Sequence, residues 1–129
     1  MNQNHKKVPV YFLPGLAANS SIFKHIQLDT NIFEMHFLEW MIPFDDESIS
    51  EYAIRFCKNI NHENAILVGV SFGGIVAQEM NLVYDFKKII IISSVKARHE
   101  LPIHLQLAGK TKVYKLLPTS LFAQNIDLL

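Results

Sequence analysis

Residues 64–80 constrain this chain more than any other stretch. They read Asn-Ala-Ile-Leu-Val-Gly-Val-Ser-Phe-Gly-Gly-Ile-Val-Ala-Gln-Glu-Met. Ala65 to Val70 is an apolar run of strand length, and a helical pattern starts directly after it. At the junction stands Gly69-Val70-Ser71-Phe72-Gly73, a Gly-x-Ser-x-Gly sequence. A strand that passes into a helix so abruptly must bend sharply, and a serine at the bend is held with its hydroxyl clear of the sheet. Side chains two positions before and after that serine would collide, so glycine at 69 and 73 suits the turn. Gly74 lets the new helix lie close to its neighbours.

The rest of the chain supplies elements that such a turn needs. Val8 to Leu13 reads as a first strand, with Pro9 near its start, where a missing N–H is tolerated. Pro14-Gly15-Leu16-Ala17-Ala18-Asn19-Ser20 follows as a loop of small residues. A short helix through Ile22, Phe23 and Ile26 is expected next, capped by Ser20 or Ser21. Phe33 to Leu38 reads as an amphipathic second strand, and Glu39-Trp40-Met41-Ile42-Pro43 as the loop after it. Ser48-Ile49-Ser50-Glu51 has the form of a capping box. Ile49, Tyr52, Ala53, Phe56 and Ile60 then recur at helical spacing. Beyond the serine turn, Ile75, Val76, Met80 and Val83 mark one side of the next helix. Lys88 to Ser93 contains four consecutive isoleucines, the pattern of a strand buried on both faces.

Strands alternating with helices predict an α/β fold with a parallel sheet. One domain over 1–129 is expected, with a polar tail at 1–7. From residue 95 the pattern turns helical: Leu101-Pro102 opens one segment, and Lys110 to Leu117 forms another before Pro118. Half of the 129 residues are hydrophobic, and 12 basic residues balance 12 acidic ones. Nothing in that balance points to nucleic acid or to an anionic membrane surface. No apolar stretch is long enough for a membrane span, and the start lacks the pattern of a signal peptide. Cys57 is alone and reads as a small hydrophobe on a helix, so a cytoplasmic location is the default expectation.

A serine hydroxyl becomes a useful nucleophile only with a base for its proton and donors for the developing oxyanion. The helix beginning at Phe72 offers its free N–H groups beside Ser71, that of Phe72 first. A second donor should come from a loop after a neighbouring strand. Pro14-Gly15-Leu16 is such a loop: Gly15 permits an unusual backbone turn, and Leu16 would supply the N–H.

On these residues the chain resembles the N-terminal half of an α/β-hydrolase. Phe12-Leu13-Pro14-Gly15-Leu16 resembles the family's oxyanion loop, with Pro14 where many members carry histidine. Gly69-Val70-Ser71-Phe72-Gly73-Gly74 resembles its nucleophile elbow. The likeness covers roughly residues 8–100. It implies a partial, mostly parallel sheet of about four strands flanked by helices, with residues 95–129 as the start of a helical cap. It further implies Ser71 as nucleophile and Leu16 and Phe72 as backbone oxyanion donors. The implied reaction is cleavage of an ester or thioester through an acyl-enzyme, without a cofactor.

The family's acid and histidine follow the serine in the chain. Asp85 ends the helix that leads away from Ser71, which puts it roughly 20 Å off. His99 follows the C-terminal end of the fourth strand and is the best-placed base. His104 flanks a packing face, and Asp127 lies near the terminus. His5, His25, His36 and His62 precede the serine and do not fit the order, and His36 reads as a half-buried structural residue. Asp45-Asp46-Glu47 reads as a solvated acidic run complementing a helix start. Trp40 and Phe44 follow the second strand and are candidates for an acyl pocket or for general packing. No His pair has the helical spacing of a metal site, and no glycine-rich phosphate loop is present, so neither metal nor nucleotide is expected. The acid and histidine are therefore expected outside this sequence. The apolar Thr119 to Leu129 and the isoleucine strand at a sheet edge both suggest a truncated chain. Two alternatives share the serine turn: a non-catalytic ligand-binding or interaction module whose sheet edge pairs with a partner or with itself, and an acyltransferase.

Overall fold

A computed structural model describes residues 6–94. Four strands form one sheet: β1 (Val8–Leu13), β2 (Phe33–Phe37), β3 (Ile66–Val70) and β4 (Lys88–Ile92). Their order is β2-β1-β3-β4, and all three pairings are parallel. Two helices complete the described layers, α1 (Ile49–Cys57) and α2 (Phe72–Asn81). The fold is thus a parallel sheet flanked by helices, as the alternating pattern predicts. The chain moves outward from β1 to β2, then crosses back to place β3 on the other side of β1. Parallel α/β sheets bind ligands where the order reverses in this way, beyond the C-terminal ends of the strands.

Alternation along β1 divides the apolar residues between two layers. Tyr11 and Leu13 join Leu38, Trp40, Phe56, Leu67, Val76, Met80 and Phe86 in the core beneath the helices. Val10 and Phe12 pack with Phe23 and Val68 on the opposite face. Phe56 and Met80 are fully buried, and burying a side chain of that size contributes about 2 kcal/mol.

Helix α1 begins with the expected capping box. The Glu51 N–H donates to Ser48 Oγ at 3.2 Å, and the Ser48 N–H donates to Glu51 Oε2 at 2.7 Å. Its apolar stripe buries Tyr52, Ala53 and Phe56. Just before it, Glu47 departs from the expected solvated run, being only 6% exposed. Arg55 Nε donates to its carboxylate at 2.6 Å and Arg55 Nη2 at 2.9 Å, while the Phe44 N–H donates to it at 2.9 Å. Such burial is tolerable because the carboxylate is both paired and hydrogen-bonded.

Three further expectations need correction. Asn19, not Ser20 or Ser21, caps the short 3₁₀ turn Ser20–Phe23, its side chain accepting from the Ser21 N–H. Val83 is 56% exposed because α2 ends at Asn81, before that position. The isoleucines of β4 are not buried on both faces: Lys88, Ile90 and Ile92 are exposed, while Ile89 and Ile91 are half-buried. Among the described residues β4 pairs with β3 alone, so only the alternate side chains facing α2 and its neighbours lose water.

Candidate active site

Strand β3 stops at Val70 and α2 starts at Phe72, so one residue makes the turn. Ser71 has φ 53° and ψ −120°. That backbone lies outside the ordinary wells for a residue with a Cβ and costs about 1–3 kcal/mol. The surroundings hold it there. The Ser71 N–H donates to Ile92 O at 2.8 Å, and the Gly74 N–H donates to Ser71 O at 2.9 Å. The serine side chain makes no capping bond to α2, and the residue is exposed.

The glycines around the turn are there for space. A Cβ at Gly69 would lie 2.4 Å from Gly73 O. One at Gly73 would lie 2.4 Å from Pro14 O and 2.6 Å from Leu13 O. The start of α2 is therefore seated directly on the end of β1, which brings the Pro14–Leu16 loop beside Ser71. A Cβ at Gly74 would meet the side chain of Ser94 at 2.6 Å.

Gly15 behaves differently from the expectation of an unusual turn. No described glycine has positive φ; the left-handed residue of this loop is Ala17, at φ 58°. A Cβ at Gly15 would find Ser71 Cβ at 3.5 Å, an ordinary contact. The loop is instead anchored through the Gly15 carbonyl, which accepts from Trp40 Nε1 at 2.9 Å and from the Ala18 N–H at 3.1 Å. Trp40 is buried, and its ring lies 5.6 Å from that of Phe72. It thus ties the loop to the first residue of α2. Phe44 is 62% exposed, with the Arg55 guanidinium 3.8 Å from its ring centre. Leu16 packs against the main core. The Phe72 N–H, first in α2, lies outside the helix's own ladder.

His99, His104 and Asp127 lie outside the described residues, as does His5. His25 and Asp85 are exposed, the former after the 3₁₀ turn and the latter beyond α2. Cys57 is half-buried, and burial pushes its thiol above the usual range, the opposite of an activated nucleophile. Burial likewise raises the Tyr52 hydroxyl, which donates to Met41 O at 2.6 Å. One grouping shows only in part in the local spacing: Glu34, His36 and His62 offer ligand atoms that all lie within 4.8 Å of one another, and only the first two are neighbours on one strand. Only the β2 register and the packing of the loop before β3 bring them together.

Solved structures share this fold. One, described as "Est816 as an N-acyl homoserine lactone degrading enzyme", aligns with a TM-score of 0.57 at 20% identity, over 85% of this chain and 48% of its own. ClbQ from the colibactin NRPS/PKS pathway aligns with a TM-score of 0.53 at 14% identity, over 83% of this chain and 56% of its own. The fold is α/β-hydrolase-like. The chain spans about half the length of these structures. No protein-family model matches the sequence, and no curated protein does. In the α/β-hydrolase-like frame, Ser71 stands at the C-terminal end of β3, beside the reversal in strand order between β1 and β3. No described helix is long and apolar enough to cross a membrane.

Proposed function

We propose that this chain carries the nucleophile of a serine hydrolase that opens an ester or thioester. Ser71 Oγ attacks the carbonyl carbon, and its proton passes to a histidine. The N–H groups of Leu16 and Phe72 receive the oxyanion. The alcohol or thiol leaves with the proton, and water then releases the acid from Ser71. His99 is the candidate base within this sequence; otherwise the histidine, like its acid, belongs to residues beyond it. No cofactor enters these steps.

The observation that carries this reading is the backbone of Ser71, an exposed serine at φ 53° and ψ −120° between a strand and a helix. Strain of this kind persists only where the surroundings impose it, and it clusters at sites of chemistry. Trp40 serves as a positioning residue through its bond to the Gly15 carbonyl. A homoserine lactone is a cyclic ester, so the activity named for Est816 falls in the same bond class. A fluorophosphonate probe tests the reading. Labelling of the folded protein that disappears in Ser71→Ala supports it, and a folded protein that takes no label refutes it for this chain. Product analysis with competing alcohols and amines separates hydrolysis from acyl transfer.

A further inference from the structure

We propose that Glu34, His36 and His62 form a binding site for one divalent ion of the zinc class. The site is separate from the serine turn and does not depend on the hydrolase reading. Glu34 and His36 are two apart on β2, so their side chains leave the same face of the sheet. His62 reaches that face from the loop between α1 and β3. Two imidazole nitrogens and a carboxylate oxygen are the donor set that zinc and its neighbours in the first transition row accept, with a water in the fourth position.

Two features of the geometry single this cluster out. His36 Nε2 lies 3.2 Å from Glu34 Oε1, yet it is buried and makes no hydrogen bond. The carboxylate stands close to the nitrogen but off the line of a ring N–H. Buried polar atoms without partners are rare and call for a reason. A tetrahedral ion with bonds of about 2.0–2.1 Å holds its ligand atoms about 3.3 Å apart, close to the 3.2 Å between His36 Nε2 and Glu34 Oε1. The ligand atoms of all three residues lie within 4.8 Å of one another, so binding draws the trio together. An ion between the two groups would satisfy both.

The second feature is the fixing of both rings. Tyr11, on β1 beside β2, is buried, and its ring stacks on His36 with centres 4.7 Å apart and planes 19° from parallel. Its hydroxyl is 2.6 Å from His62 Nδ1 and accepts from the Asn61 N–H at 3.2 Å. The two histidine rings are 4.7 Å apart. Outer partners that hold imidazoles in place are what metal sites need. The Glu34 side chain is 51% exposed and that of His36 26%, which leaves an entry path and room for a water.

His36 is level with Tyr11 and Tyr11 with Leu67 in the sheet. Ser71 lies four residues further and two strands across, roughly 16 Å away. At that distance the ion takes no part in chemistry at Ser71. It would pin β2, an edge strand among the described residues, to the loop that feeds β3.

The test titrates the full chain, stripped with a chelator, with Zn²⁺ in a calorimeter and with Co²⁺ as an absorbing probe. One equivalent of Zn²⁺ should bind, Co²⁺ should give the intense visible bands of tetrahedral coordination, and Mg²⁺ should not compete. Glu34→Gln and His36→Gln should each weaken binding about tenfold or more and abolish the zinc-induced rise in Tm. Glu34 is exposed, so its variant tests the site without endangering the fold. Absence of binding at about 100 µM Zn²⁺, or unchanged binding in the double variant, overturns the proposal. Fluorophosphonate labelling of Ser71 should be the same with and without zinc, so failure here is distinguishable from failure at the serine.

Discussion

Ser71→Gly should stabilise the protein while removing the proposed nucleophile. The backbone at φ 53° and ψ −120° is the mirror image of an ordinary extended conformation, and glycine adopts either hand equally well. For serine the same geometry costs about 1–3 kcal/mol. Against that relief stands the greater freedom of glycine in the unfolded chain, about 0.4–1 kcal/mol. Packing changes little, since Ser71 is exposed and its side chain makes no capping bond. The net gain is about 1 kcal/mol, or roughly 3–5 °C in Tm for a chain of this size. Ser71→Ala is the control because it also removes the hydroxyl but keeps the Cβ and with it the strain. Urea unfolding should show a higher midpoint for the glycine variant than for the alanine variant, with the same m-value. A glycine variant no more stable than the alanine variant would refute the claim that the turn stores strain.

The remaining predictions concern the supports of the turn and the core. Gly73→Ala puts a methyl group 2.4 Å from the Pro14 carbonyl oxygen, so it should cost about 1–3 kcal/mol and reduce probe labelling by displacing the loop; denaturation and labelling rate check this. Trp40→Phe removes the bond to the Gly15 carbonyl and should cost about 1–2 kcal/mol, read by urea unfolding. Glu47→Ala leaves the Arg55 guanidinium without its buried partner and should cost about 3–5 kcal/mol, with part regained on adding Arg55→Met. Burial raises the Cys57 thiol above its ordinary range by disfavouring the thiolate. Alkylation of the native protein should therefore accelerate with pH only above the range where a free thiol does, whereas the urea-unfolded chain follows the free thiol.

What the sequence made legible was local. The five residues around Ser71 announce a strand-to-helix bend because glycine is required on both sides, and the backbone atoms that a Cβ at 69 or 73 would strike show the same crowding in space. Helix α1 was legible from its capping box and stripe. What escaped depends on pairing across the chain. The isoleucines of β4 suit a buried strand or an edge strand equally, and only strand order distinguishes them. Glu47 looked like one member of an acidic run because its partner, Arg55, sits on the far side of the helix start. Gly15 looked like a conformational device, but its importance lies in the carbonyl it presents to Trp40, 25 residues away. Glu34 and His36 share a strand face at a spacing of two, but His62 joins them from a loop that no local spacing connects to β2.

The central position of β1 also has a consequence for how the chain is made. Val10 pairs with Ile66 across the sheet, so one edge of β1 waits for a partner that emerges about fifty residues later. At ribosomal rates of 5–20 residues per second that delay is about 3–10 s. Through it the nascent chain presents Val10, Tyr11, Phe12 and Leu13 with one row of backbone groups open. The strand that organises the finished sheet is therefore the segment most in need of protection while the chain is young.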